Sequence, residues 1–228
     1  DILGVEQLPT YMRHAGSPRE TVRRTTAALR DAAKRLKAAG TALLLENHED
    51  FPGAEMAEIM RGVDQAPVGA LFDYGNSMMV AEQPETALEA MLPFIRSVHL
   101  KDHACRRHPA GTVEILGVPI GSGVLPIADL TRRLVANGLD RILLSNVWAY
   151  RCPVRDWRGG AKWGEGVFRG DDRSFDPVMR PWDAPDWEKS DPAYLVAQEE
   201  EAVRWAQTWL RRTLKEIGVE VVARLSLP

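Results

Sequence analysis

The sequence predicts an α/β fold in which parallel strands alternate with helices. Short runs at residues 42–45, 68–72, 97–100 and 141–144 are largely apolar, with helical segments between them. An apolar run without polar alternation marks a strand covered on both faces, as helices cover a parallel sheet. A polar cluster follows each run directly. In α/β folds the strand ends carry the chemistry, whether the sheet is open or closed.

Taken in order, residues 2–5 read as an opening strand. The clearest helix spans 17–39: Ser17 caps it, Pro18 suits its first turn and Glu20 completes a capping box. Val22, Leu29, Ala33 and Leu36 recur at helical spacing, and Gly40 stops the helix. The strand 42–45 ends in Glu46, Asn47, His48, Glu49 and Asp50. A short helix at 54–62 precedes the strand 68–72, which ends at Asp73, Tyr74, Gly75 and Asn76. Pro84 opens a helix over 84–94, and the strand 97–100 ends at Lys101, Asp102 and His103. Residues 112–118 read as a strand leading into Gly121, Ser122 and Gly123. A helix at 128–136 precedes the strand 141–144, which ends at Ser145 and Asn146. Six strand–helix units result, and alternation of this kind predicts right-handed crossovers.

Residues 151–192 break the rhythm with glycines, prolines and the tryptophans Trp157, Trp163, Trp182 and Trp187. Long segments of this kind are lids, interface arms or disordered. Tryptophan speaks against disorder, because it contributes large buried area. A strong helix follows at 193–214, with Leu195, Val203, Trp209 and Leu210 among its apolar positions, and 219–222 suits a small extra strand. The chain, 1–228, reads as a single domain.

With 228 residues, 45% of them hydrophobic, the chain is long enough to bury a core without disulfide staples. A net charge of −3 speaks against nucleic-acid partners. No run of about 18 apolar residues exists to span a membrane. Cys105 and Cys152 are too few for a disulfide scaffold and lack metal-site spacing, so a cytoplasmic location is expected.

Glu46, Asp73 and His99 each follow or close an apolar strand, at spacings of 27 and 26 residues, about one βα unit apiece. On adjacent strands in register they converge at one end of the sheet. Two carboxylates and an imidazole are good ligands for Mn²⁺, Mg²⁺, Zn²⁺ or Co²⁺. The plainer alternative is that the acidic residues cap the helices that follow.

Leu45-Glu46-Asn47-His48, Phe72-Asp73-Tyr74-Gly75-Asn76, Val98-His99-Leu100-Lys101-Asp102 and Pro119-Ile120-Gly121-Ser122-Gly123 stand in one order at even spacing. Over residues 1–150 and the helix 193–214, the chain resembles the sugar phosphate isomerase/epimerase family of the xylose-isomerase-like TIM barrels. That superfamily also holds ketose 3-epimerases, hydroxypyruvate isomerase, inosose dehydratase and endonuclease IV. The resemblance implies a (β/α)8 barrel, here lacking its first two βα units. It also implies a metal, Mn²⁺ or Mg²⁺ foremost, held by Glu46, Asp73 and His99 together with a glutamate after strand eight. A metal between carbonyl and hydroxyl stabilises an enediolate while a carboxylate moves the proton. Glu46 matches one of the two glutamates that epimerases use. His48 and Lys101 would face the substrate; the alternatives are a structural His48 and a Lys101 paired with Asp102.

The expected activity is isomerisation or epimerisation of a small sugar, keto-sugar or sugar acid. The alternatives are a metal-dependent lyase of the same superfamily (β-elimination or decarboxylation, including 3-oxo-glycoside cleavage) and a non-catalytic barrel subunit. Three departures bear on the choice. Ser145 and Asn146 stand where the strand-eight glutamate belongs, and Glu165 is a candidate substitute. Asn76 stands where epimerases and endonuclease IV carry a histidine, which disfavours a trinuclear zinc nuclease site. Six units cannot close an eight-stranded barrel, so either about 60 residues precede the chain or a partner protects the edge. Gly121, Ser122 and Gly123 form either a plain turn or a phosphate cradle. The tryptophan segment is read as a lid or, preferably, as a contact arm, so a homo- or hetero-oligomer is expected.

Overall fold

The computed structural model describes residues 17–107, 113–145, 151–154, 157–170 and 191–220. Helix α1 (Pro18–Ala38) begins as its sequence dictates: Ser17 Oγ accepts from the Glu20 amide at 3.3 Å, with proline in the first turn. It lays Val22, Leu29 and Ala33 against the rest of the chain. The next elements are β1 (Leu43–Glu46), α2 (Gly53–Val63), β2 (Val68–Asp73), α3 (Pro84–Met91) and β3 (Ile95–Leu100). The helix expected over 84–94 divides at Pro93, which has no N–H to continue the α-helical ladder. Residues Leu92–Phe94 form a 3₁₀ turn instead.

Strands β1, β2 and β3 and the two-residue β6 (Leu143–Leu144) form one parallel sheet in the order β1-β2-β3-β6. All six residues of β2 are buried, as a run covered on both faces requires. Strict alternation fails after β3. Residues Asp102–Arg107 are a strand, β4, antiparallel to β5 (Val113–Val118), and β7 (Arg151–Pro153) extends this second sheet. The strand expected at 112–118 therefore does not lengthen the parallel sheet. Only five residues separate β4 from β5, whereas a parallel crossover takes a dozen or more.

Helix α4 (Ile127–Ala136) leads back to β6, and α5 (Pro192–Glu216) packs Ala202, Ala206, Leu210 and Leu214 inward at helical spacing. Residues 157–170 lie against the chain's own rim. The amides of Gly159 and Ala161 donate to the carbonyls of Val80 and Ala81 at 2.9 and 2.8 Å, and Phe168 is fully buried. Arg158 binds both Glu55 carboxylate oxygens at 2.7 and 2.8 Å and donates to the Asp50 carbonyl. This half of the tryptophan segment is thus an internal brace. Residues 171–190 lie outside the described residues, as do 2–5, His108, Asn146 and 221–222. Residues 219–220 form no strand. No described helix is long and apolar enough to cross a membrane.

Candidate metal centre

The parallel sheet delivers three side chains to one place. Glu46 ends β1, Asp73 ends β2, and His99 is the register partner of Asp73 on β3. Each offers a ligand atom, and these atoms all lie within 4.8 Å of one another.

Asp73 forms the floor, with no exposure. Its Oδ1 accepts from the amides of Gly75 at 2.9 Å and Asn76 at 3.2 Å, so the turn after β2 fixes the carboxylate. Its Oδ2 is buried without a hydrogen bond, although the Lys101 ammonium lies 3.0 Å away. Burial pushes the Asp73 carboxyl up, against the Lys101 charge and the Gly75 amide. Glu46 behaves differently. Burial would raise it, but the hydrogen bond to His99 and the charges of His99, His48 and Lys101 hold it below the usual carboxylate range. His99 Nδ1 sits 3.3 Å from Glu46 Oε1, and that contact raises the imidazole against its own burial.

The neighbouring groups complete a closed circuit. Lys101 Nζ donates to Asn76 Oδ1 at 3.1 Å, and Asn76 Nδ2 donates to Glu46 Oε1 at 3.2 Å. The partner of Lys101 is therefore Asp73, not Asp102. His48 is half-buried two residues beyond Glu46 and reaches it through charge. Two carboxylates and an imidazole whose ligand atoms all lie within 4.8 Å of one another suit a divalent cation. The donor set fits the ion.

A family described as the xylose isomerase-like TIM barrel matches residues 2–167. The chain belongs to that family. Among curated relatives it is 26% identical over 137 residues to the uncharacterized protein YihM of Escherichia coli K12, covering 60% of this chain and 42% of that one. The xylose isomerase domain protein of Planctomyces limnophilus shares the fold at a TM-score of 0.55 and 20% identity, covering 90% of this chain and 57% of its own. The 3-keto-D-glucoside 4-epimerase YcjR of Escherichia coli aligns at a TM-score of 0.47 and 18% identity, over 89% of this chain and 59% of its own. The chain thus spans less than two thirds of each of these proteins.

Within this xylose isomerase-like barrel, three sequence readings are corrected or refined. Gly121 and Gly123 form no phosphate cradle: both amides donate at 2.9 Å to Asp102 Oδ2. Asp102 Oδ1 accepts from His103 at 2.9 Å and Leu125 at 3.3 Å, so this fully buried carboxylate ties β4 to the glycine turn. Glu165 does not join the cation group. Its carboxylate accepts from the Lys162 amide at 3.1 Å within its own turn. His103, at the end of the strand expected over 97–100, is buried in β4 with Nδ1 3.1 Å from the Gly75 carbonyl. At the end of β6, Ser145 brings no carboxylate; its amide donates to the Leu100 carbonyl at 2.9 Å.

Asn47, Asn76 and Asp102 are polar residues whose roles the spacing argument does not reveal. Asn76 has a local signal, standing three residues after an aspartate in an Asp-x-Gly-Asn turn. For Asp102 the test is direct. Asp102→Asn would set an amide donor against N–H donors, so an expected loss of about 1–3 kcal/mol should appear in urea unfolding.

Proposed function

We propose that this site binds a divalent cation, Mn²⁺ or Mg²⁺ before Zn²⁺ or Co²⁺, and isomerises or epimerises a small sugar, keto-sugar or sugar acid. One observation carries the reading: Glu46, Asp73 and His99 bring ligand atoms within 4.8 Å of one another at the ends of three adjacent parallel strands. These three residues would hold the ion, the two hard carboxylates favouring Mg²⁺ and Mn²⁺. A cation held there polarises a substrate carbonyl and stabilises negative charge on its oxygen.

Glu46 takes the proton from the carbon beside that carbonyl. A base must be ionised at working pH, and His99, His48 and Lys101 keep the Glu46 carboxyl low enough for that. Lys101, almost fully buried and anchored on Asp73 and Asn76, fixes positive charge where a substrate oxygen gains negative charge. His48 stands at the same rim and orients a substrate hydroxyl. Ser145, at the end of β6, supplies no second carboxylate base. That favours, as a second reading, a one-base elimination or decarboxylation of the same substrates, 3-oxo-glycoside cleavage included.

Calorimetric titration of metal-stripped protein with Mn²⁺ is expected to give about one ion per chain, with affinity reduced about 100-fold in Glu46→Gln and His99→Ala. Keto-sugars incubated in D₂O with the loaded protein are expected to gain deuterium beside the carbonyl, and Glu46→Gln should stop it. A protein that takes up none of these ions overturns the proposal and leaves a non-catalytic barrel subunit.

A further inference from the structure

We propose that Asn76 is a positioning residue of this centre, fixing how the two oxygens of Glu46 divide their work. The inference rests on the cation-binding reading of Glu46, Asp73 and His99. Asn76 is 1% exposed and opens the 3₁₀ turn Asn76–Val80 behind Asp73. Its carboxamide bonds two charged side chains, taking the Lys101 ammonium on Oδ1 and donating from Nδ2 to Glu46 Oε1. The ammonium settles which way the amide lies, because only its oxygen accepts from a cationic donor. The NH₂ group must then face Glu46.

Asn47 supplies the contrast. It is equally buried, yet both ends of its carboxamide go to the main chain of Asp73, at 2.6 and 3.1 Å, stitching β1 to β2. The Asn76 carboxamide instead bonds side chains, those of Glu46 and Lys101. The turn it sits in is held separately, by the main-chain amides of Gly75 and Asn76 on Asp73 Oδ1. A different side chain at position 76 leaves those bonds in place. With Asn76 and His99 both on Oε1, the oxygen of Glu46 that accepts no hydrogen bond among the described residues is Oε2. Asn76 thereby reserves Oε2 for the ion or the substrate and keeps the Lys101 ammonium at a set place beside Asp73. Partners that orient a metal ligand in this way change metal affinity by about 10–100-fold.

The test compares Mn²⁺ affinity by calorimetry in the metal-stripped full chain and in Asn76→Leu, which keeps the volume and removes both bonds. The expected result is binding about 10–100-fold weaker in the variant. Mn²⁺ binding within threefold of the unmodified chain would overturn the inference. Should Asn76→Leu not fold, the side-chain amide resonances of Asn76, assigned by their absence in Asn76→Ser, decide the matter. They should shift in the unmodified protein on saturation with Mg²⁺, and resonances that stay put overturn the inference. The two readings fail differently. An unmodified chain that binds no Mn²⁺ removes the metal centre itself, whereas one that binds it with Asn76→Leu matching it removes only the role of Asn76.

Discussion

Replacing Lys101 with methionine is expected to cost about 3–5 kcal/mol of folding stability, and divalent cation should restore part of it. The Lys101 ammonium lies 3.0 Å from Asp73 Oδ2, with 9% of the lysine side chain exposed and none of the aspartate. Methionine retains the buried stem but removes the only cation that the hydrogen-bond and ion-pair geometry brings onto that carboxylate among the described residues. Asp73 is then left as a buried charge without compensation, or must take up a proton to avoid it. Removing one member of a buried pair leaves an uncompensated buried charge, and that penalty falls on the fold whatever the pair itself contributes. A cation bound by Glu46, Asp73 and His99 would supply the missing positive charge, so urea midpoints of the variant should rise with Mg²⁺ more than those of the unmodified protein. Equal midpoints for both proteins without the ion would show that Asp73 does not depend on Lys101.

The elements that position this site are those whose signals are local. Ser17, Pro18 and Glu20 mark the start of α1 within four residues, and Gly40, with φ at 63°, ends it in the left-handed conformation that glycine adopts readily. The runs 42–45 and 68–72 announce buried strands because parallel strands covered on both faces need no polar alternation. Convergence of Glu46, Asp73 and His99 follows from arithmetic, since one βα unit per strand places successive strand ends side by side. Asp73 and His99 are indeed register partners.

What escapes sequence reading is held by distant partners. Strand β4 contains Asp102 and His103, polar residues that are 1% and 0% exposed. Their burial is tolerable only because Gly121, Gly123 and Leu125, some twenty residues on, donate three amides to Asp102. No period in the local sequence encodes that. The same holds for Asn76, whose side-chain partners lie 25 and 30 positions away. Residues 157–170 look like a projecting arm for a like reason: aromatic and glycine content shows that a segment packs, not what it packs on. The fit depends on bare glycine. A Cβ on Gly159 would lie 2.5 Å from Glu82 Cβ and 2.6 Å from the Ala81 carbonyl oxygen.

Glu82, beneath that brace, should make the fold lose stability as pH rises from about 4.5 to neutrality. Its side chain is buried, accepts from the Gly53 amide at 2.8 Å and lies near the Glu55 carboxylate, itself paired with Arg158. Burial, outweighing the Gly53 amide and reinforced by Glu55, pushes the carboxyl up from 4.5 to about 7. The folded chain therefore keeps a proton that the unfolded chain releases above pH 4.5. This contribution to stability is complete below pH 4.5, declines between 4.5 and 7, and is gone above 7, amounting to on the order of 3 kcal/mol. Glutamine at this position keeps a carbonyl oxygen for the Gly53 amide and carries no titrating proton. Measured by urea unfolding, Glu82→Gln should gain on the unmodified protein steadily from pH 5 to pH 7 and hold a constant advantage at pH 8. A stability difference that does not change with pH would mean that Glu82 ionises in the fold as freely as in water.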